Sequence, residues 1–140
     1  MSELQLTPAQ RAALIAAIDR IIPEDDFPSA SQSGVGEFLL RLLAGDARQY
    51  ASLVIDGLDA LNRQADGNFA RLEAFAQDAI LAAFESHADP RFQHFFRRLV
   101  DMTQEGYYAN PENGGNRNAA SWKMVGYDPR VPGYVPWDVE

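Results

Sequence analysis

The chain has 140 residues and a formal net charge of -8, with 46% hydrophobic and 23% charged residues. This length suits one domain with one hydrophobic core, and the ordinary apolar content argues against a disordered chain. Because like charges repel, the negative charge disfavours nucleic acid and anionic lipid headgroups as partners. The absence of cysteine excludes disulfides, thiolate metal sites and a cysteine nucleophile.

The N-terminal sequence contains no recognisable export signal. Residues 1–8 begin acidic and lead directly into an amphipathic helix, whereas a secretory signal needs a basic start and a continuous apolar stretch. No apolar run approaches the ~20 residues that span a bilayer, so we expect no direct membrane insertion. We expect a cytoplasmic protein, with export to the periplasm together with a partner as the alternative.

Two helices are predicted before residue 46. Residues 7–10, Thr-Pro-Ala-Gln, supply an N-cap hydroxyl, a proline at the first helical position and a capping-box glutamine. Pro23 stops the apolar pattern of this first helix, which should end near Ile22. After a polar connector, a second apolar face begins at Val35, and Gly45 is its predicted stop.

A third and a fourth helix are predicted in the middle of the chain. An Asp46 cap should start the third helix, whose apolar period continues to Ala65. The fourth apolar stripe runs from Phe69 to Phe84 and is rich in alanine, which favours helix over strand.

A fifth helix should start with Asp89 as its cap and Pro90 as its first residue, and should end at about Glu105 because Gly106 follows. Its Phe-rich cluster is interpreted as core. The cluster consists of Phe92, Phe95, Phe96 and Leu99.

The last part of the chain, residues 106–140, is rich in glycine, proline and aromatic residues. Such a long irregular segment is usually functional or disordered, and its aromatic residues suit either a protein interface or packing over this chain's own helices. The sequence therefore predicts an all-α protein, a compact bundle of about five helices with a long C-terminal tail. We predict one domain over residues 1–140, with a helical core at 7–105 and an irregular docking tail at 106–140.

The two histidines, His87 and His94, are the best candidates for an independent function. Carboxylates lie nearby in sequence, so a metal site is conceivable, but the predicted break at Asp89 separates the histidines and their spacing is unlike that of helical metal sites. The alternatives to a docking protein are a small helical ligand-binding or metal-dependent protein using these histidines, and a homodimer formed through the Phe-rich face.

The chain resembles the gluconate 2-dehydrogenase small-subunit family. The resemblance rests on residues 103–108 (Thr-Gln-Glu-Gly-Tyr-Tyr), the Asn-Pro at 110–111, the Gly-Gly-Asn at 114–116 and residues 122–127 (Trp-Lys-Met-Val-Gly-Tyr). The residues expected to bind a partner are Tyr107, Tyr108, Pro111, Gly114, Gly115, Asn116, Trp122, Lys123 and Tyr127.

The resemblance implies a noncatalytic accessory subunit that binds a large FAD-dependent dehydrogenase of the glucose-methanol-choline type and assists its folding or assembly. The partner would hold the FAD and the catalytic residues, and would oxidise sugars, glycosides, sugar acids or polyols. In some such complexes a multihaem cytochrome c accepts the electrons. The resemblance assigns no catalytic residue, cofactor or metal to this chain.

Two departures from the family pattern affect these expectations. Family members often have a twin-arginine export signal before the first helix, and its absence from this sequence leaves periplasmic export open. Asn113 and Ala120 stand where an aromatic residue and a glycine are expected, so the contacts of this loop should differ in detail.

Overall fold

A computed structural model of the chain describes residues 2–109. These residues form five α-helices with no strand among them, which confirms the predicted all-α bundle. The helices are α1 (Pro8–Ile21), α2 (Val35–Ala44), α3 (Ala51–Gln64), α4 (Ala74–Glu85) and α5 (Pro90–Tyr108). Short 3₁₀ turns at Arg48–Tyr50 and Phe69–Arg71 precede α3 and α4. The tail beyond residue 109 lies outside the described residues.

The predicted caps of α1 and α5 are confirmed. Thr7 Oγ1 accepts a hydrogen bond from the Gln10 amide at 3.1 Å, and the Thr7 amide donates to Gln10 Oε1 at 3.0 Å. In α5, Asp89 Oδ1 accepts from the Arg91 amide at 2.9 Å, and Pro90 is the first helical residue. Both helices therefore begin where side chains satisfy amides that have no partner within the helix.

The predicted starts of the third and fourth helices are wrong. Asp46 does not cap α3, because a 3₁₀ turn intervenes and α3 begins only at Ala51. The apolar stripe from Phe69 splits into a 3₁₀ turn and α4. Side chains of the two neighbouring helices stabilise this 3₁₀ turn. Asn62 Oδ1 of α3 accepts a hydrogen bond from the Phe69 amide at 3.0 Å, and Gln77 Nε2 of α4 donates one to the Phe69 carbonyl at 3.1 Å.

Gly106 does not end the fifth helix, which continues to Tyr108. A Cβ at Gly106 would lie 2.7 Å from Phe38 Cδ2 and 3.2 Å from Val35 Cγ1. The glycine therefore allows α5 to approach the first turn of α2 closely, instead of terminating the helix.

The core lies where α1 and α5 meet the other helices. Helix α1 packs against α3 and α4, and α5 packs against α2, α3 and α4. Phe95 and Leu99 are fully buried, whereas Phe92 and Phe96 are partly buried against the same core. Gly57 of α3 lies in close contact with the Phe95 ring. The Phe-rich cluster is thus used inside the fold, as predicted.

Candidate docking surface

The two tyrosines at the end of α5 have different environments. Tyr107 is 1% exposed, and its hydroxyl donates to the Pro28 carbonyl at 2.8 Å. Burial raises the pKa of Tyr107. Tyr108 is 41% exposed, and its ring lies edge-on to that of Tyr107, with 5.4 Å between the ring centroids. Tyr108 presents surface at the start of the predicted docking tail, whereas Tyr107 connects α5 to the turn at Pro28.

The docking roles predicted for Tyr107 and Tyr108 remain predictions. The other predicted docking residues lie outside the described residues; they are Pro111, Gly114, Gly115, Asn116, Trp122, Lys123 and Tyr127.

Helix α4 exposes an apolar face that sequence analysis did not identify. We call the exposed residues Phe75, Ala79, Ala82 and Ala83 the α4 face. Their spacing places them on one side of the helix. Phe75 is 72% exposed, the highest value among the large hydrophobic residues of the described part of the chain. The opposite side of the helix is buried and consists of Gln77, Leu81 and Phe84.

The polar residues of α4 do not interrupt this face. Gln77 is buried and bonded to the Phe69 carbonyl. Asp78 forms a two-point ion pair with Arg20 of α1, with Arg20 Nε 2.8 Å from Oδ1 and Nη2 3.0 Å from Oδ2. Glu85 is the last residue of the helix. A surface helix normally has one polar side, whereas the exposed side of α4 carries the four apolar residues of the α4 face.

A signal for the α4 face was present in the sequence. The alanine-rich run from residue 79 to residue 83 favours helix, but it also leaves few polar residues to form a solvated side. The sequence alone does not identify the α4 face, because it does not show that Gln77 is buried and that Asp78 pairs with Arg20.

A second apolar feature lies beside the first half of α1. A shallow groove is formed by this helix and the 3₁₀ turn that contains Ala70. We call it the α1 groove. The residues that line it are Pro8, Arg11, Ala12, Ile15, Ala16 and Ala70.

The histidines are separated by their packing. The Nδ1 atom of His87 accepts a hydrogen bond from the Asp89 amide at 2.9 Å, and its ring lies edge-on to Phe92 at 4.8 Å between centroids. His94 lies edge-on to Tyr50, with 5.9 Å between centroids. Within residues 2–109, no three His, Asp or Glu side chains gather in a position to hold a metal ion.

Asp56 and Asp59, two carboxylates one helical turn apart on α3, both contact side chains of other helices. Asp56 Oδ2 lies 2.7 Å from Arg91 Nη2, which links α3 to the start of α5. Asp59 Oδ1 accepts from Gln10 Nε2 at 3.0 Å, which links α3 to α1. Both carboxylates therefore have a structural role, because each links α3 to another helix.

No helix in the described part of the chain is both long and apolar enough to cross a membrane. A family model described as gluconate 2-dehydrogenase subunit 3 matches residues 8–129, a range that includes all five helices. No curated protein and no solved structure matches the chain.

Proposed function

The chain belongs to the gluconate 2-dehydrogenase subunit 3 family, and we propose that it binds and stabilises a large FAD-dependent dehydrogenase of the glucose-methanol-choline type. In this proposal the partner holds the FAD and carries out the oxidation of a sugar, glycoside, sugar acid or polyol. The chain itself is noncatalytic and assists the folding or assembly of the partner. A multihaem cytochrome c is a further proposed component of the complex.

The α4 face is the observation that supports a docking role most directly. Its four side chains carry no charge, and two polar residues of the same helix, Gln77 and Asp78, are bonded to other parts of the chain. Covering apolar surface contributes roughly 25 cal/mol per Å² removed from water. A protruding aromatic ring such as Phe75 is the type of residue that anchors protein interfaces.

Tyr108 extends the proposed contact toward the tail. It is the exposed member of the tyrosine pair at the end of α5, and the family resemblance includes the residues that follow it. We propose that Tyr108 and residues 111–127 contact the same partner as the α4 face.

Coexpression tests the proposed partner. The tagged chain is produced together with a large flavoprotein dehydrogenase of the glucose-methanol-choline type from the same organism. The purified material is measured by visible absorption and by the ratio of the two chains. We expect a stoichiometric large chain with a flavin spectrum. The yield of soluble, flavin-loaded dehydrogenase should fall when the small chain is left out.

The alternatives predict different results. A colourless chain that purifies alone and is monodisperse would contradict the proposal and favour an independent function. A stable homodimer without flavoprotein would contradict the proposal and favour the homodimer alternative.

A further inference from the structure

Helix α5 separates positive from negative charge along its length. Residues 90–98 contain three arginines and a histidine but no acidic residue, whereas residues 99–108 contain Asp101 and Glu105 but no basic residue. Four exposed positions with a spacing of three, four and three residues run along one line of the helix, opposite its buried side. We call this line the α5 stripe, and it consists of His94, Arg97, Asp101 and Gln104.

The order of these charges does not serve the stability of α5 itself. A helix is stabilised by acidic residues in its first turn and by basic residues in its last turn, and α5 has neither. Arg97 precedes Asp101 by one turn, and this order gives a weaker pair within a helix than an acid that precedes a base. The pattern therefore suits a contact between helices better than a contact within α5.

The α5 stripe is complementary to a second copy of itself in the antiparallel orientation. Its positions are symmetrical about residue 99, so reversing the helix exchanges Arg97 with Asp101 and His94 with Gln104. Two antiparallel copies would form two equivalent contacts between Arg97 and Asp101, which is the reciprocal arrangement of a two-fold dimer. In the parallel orientation each charge would face a like charge, which is repulsive.

An apolar flank accompanies the stripe. Phe96 and Val100 are half-buried and line a shallow groove that also contains Arg97 and Asp101. A two-fold axis perpendicular to both helices keeps this flank on the same side of each copy, so Phe96 of one copy would face Val100 of the other. Exposed ion pairs contribute little by themselves, and the removal of this flank from water adds a hydrophobic contribution.

We propose that two copies of the chain associate through the α5 stripe as an antiparallel, two-fold symmetric pair. The stripe rises about 15 Å along the helix, which corresponds to a small interface, and small interfaces are typical of weak, reversible complexes. The inference goes beyond the proposed function, because it concerns a different helix from the α4 face and requires no dehydrogenase. It also differs from a homodimer formed through the Phe-rich face, since the contact is centred on charged residues.

Sedimentation of the full chain over a wide range of protein concentrations tests this proposal. We expect the average mass to rise from one chain toward two, and the dissociation constant to increase with salt because exposed charges are screened. Arg97→Glu places like charges at both symmetric contacts and should raise the dissociation constant at least about tenfold. Arg71→Glu makes the same change at an exposed position of the 3₁₀ turn before α4 and should leave the dissociation constant unchanged.

Mixing two charge-reversed variants tests the pairing directly. Arg97→Glu and Asp101→Arg should each be monomeric at concentrations where the parent is dimeric. An equimolar mixture of the two has opposite charges at both contacts and should form a heterodimer. The double variant should associate with itself as the parent does, for the same reason. Circular dichroism and thermal unfolding of each variant verify that the helices remain folded.

Three results would overturn the proposal. The first is a parent that remains a single chain at every concentration up to its solubility limit. The second is association that Arg97→Glu and Asp101→Arg leave unchanged, because another surface would then form the dimer. The third is a mixture of the two variants that remains monomeric, because the antiparallel pairing requires its recovery. Copurification of the dehydrogenase with Arg97→Glu should equal that of the parent, which separates this test from that of the α4 face.

Discussion

At the residue scale, the hydroxyl of Tyr107 makes a testable contribution to stability. It joins α5 to the Pro28 carbonyl at 2.8 Å in a buried setting. Tyr107→Phe leaves that carbonyl without its partner and should lower the free energy of unfolding by about 0.5–1.5 kcal/mol. Denaturant unfolding at neutral pH measures the difference, and Tyr108→Phe is the matched control because its exposed hydroxyl should contribute little.

The stability difference between the parent and Tyr107→Phe should depend on pH. Burial raises the pKa of Tyr107, so folding favours the protonated phenol. Its contribution should be complete below the ordinary tyrosine pKa of about 10 and lost as the pH rises above it. The parent should therefore lose more stability in alkali than Tyr107→Phe, and equal losses would show that the phenol is not buried.

Gly57 is the second residue with a measurable role. Alanine is a better helix former by about 1 kcal/mol, but a methyl group at Gly57 would overlap the buried Phe95 ring. We expect Gly57→Ala to destabilise the protein by about 1–3 kcal/mol, as overpacked cores do. Gly36→Ala is the control, because there the methyl group meets only the flexible tip of Ile15. Similar losses of unfolding free energy in the two variants would contradict this explanation.

At the element scale, an ion pair joins α1 to α4. Asp78→Asn should reduce the free energy of unfolding by about 0.2–1 kcal/mol, since a partly exposed pair is screened by solvent. A double-mutant cycle with Arg20→Gln isolates the pair, and the coupling should weaken in high salt. Coupling that is independent of salt would contradict an ionic origin.

The pH dependence of this pair has the opposite sign to that of Tyr107. The hydrogen bond from Arg20 lowers the pKa of Asp78. The stabilisation should therefore be complete above the ordinary aspartate pKa of about 4 and lost as the pH falls through the lowered value. The difference between the parent and Asp78→Asn should shrink in acid.

Capping residues and apolar periodicity predicted the presence of the helices better than the residues at which some of them begin and end. The capping box at Thr7 and the Asp89–Pro90 start were correct because both depend on residues adjacent in sequence. The prediction failed at Phe69, where Asn62 holds a 3₁₀ turn from another helix. The prediction also failed at Gly106, where the missing side chain leaves room for the Phe38 ring of α2. Contacts between distant residues decided these two positions.

At the scale of the whole molecule, the fold class and the family could be predicted but the α4 face could not. Apolar periodicity predicts helices, yet it does not show which side of an alanine-rich helix such as α4 faces the core. The structure supplies that information by burying Leu81 and Phe84 and leaving Phe75 and Ala79 exposed. Tyr108, predicted from the resemblance, is exposed at the end of α5.

The most direct test of the proposed docking surface is the amount of dehydrogenase that copurifies with a charged α4 variant. Ala79→Arg places a cation in the centre of the α4 face, and Ser52→Arg places one at an exposed position of α3. We expect Ala79→Arg to lose the flavoprotein while keeping the parent's thermal unfolding midpoint, and Ser52→Arg to retain it. Full retention of the dehydrogenase by a folded Ala79→Arg variant would contradict the assignment of the α4 face as the docking surface.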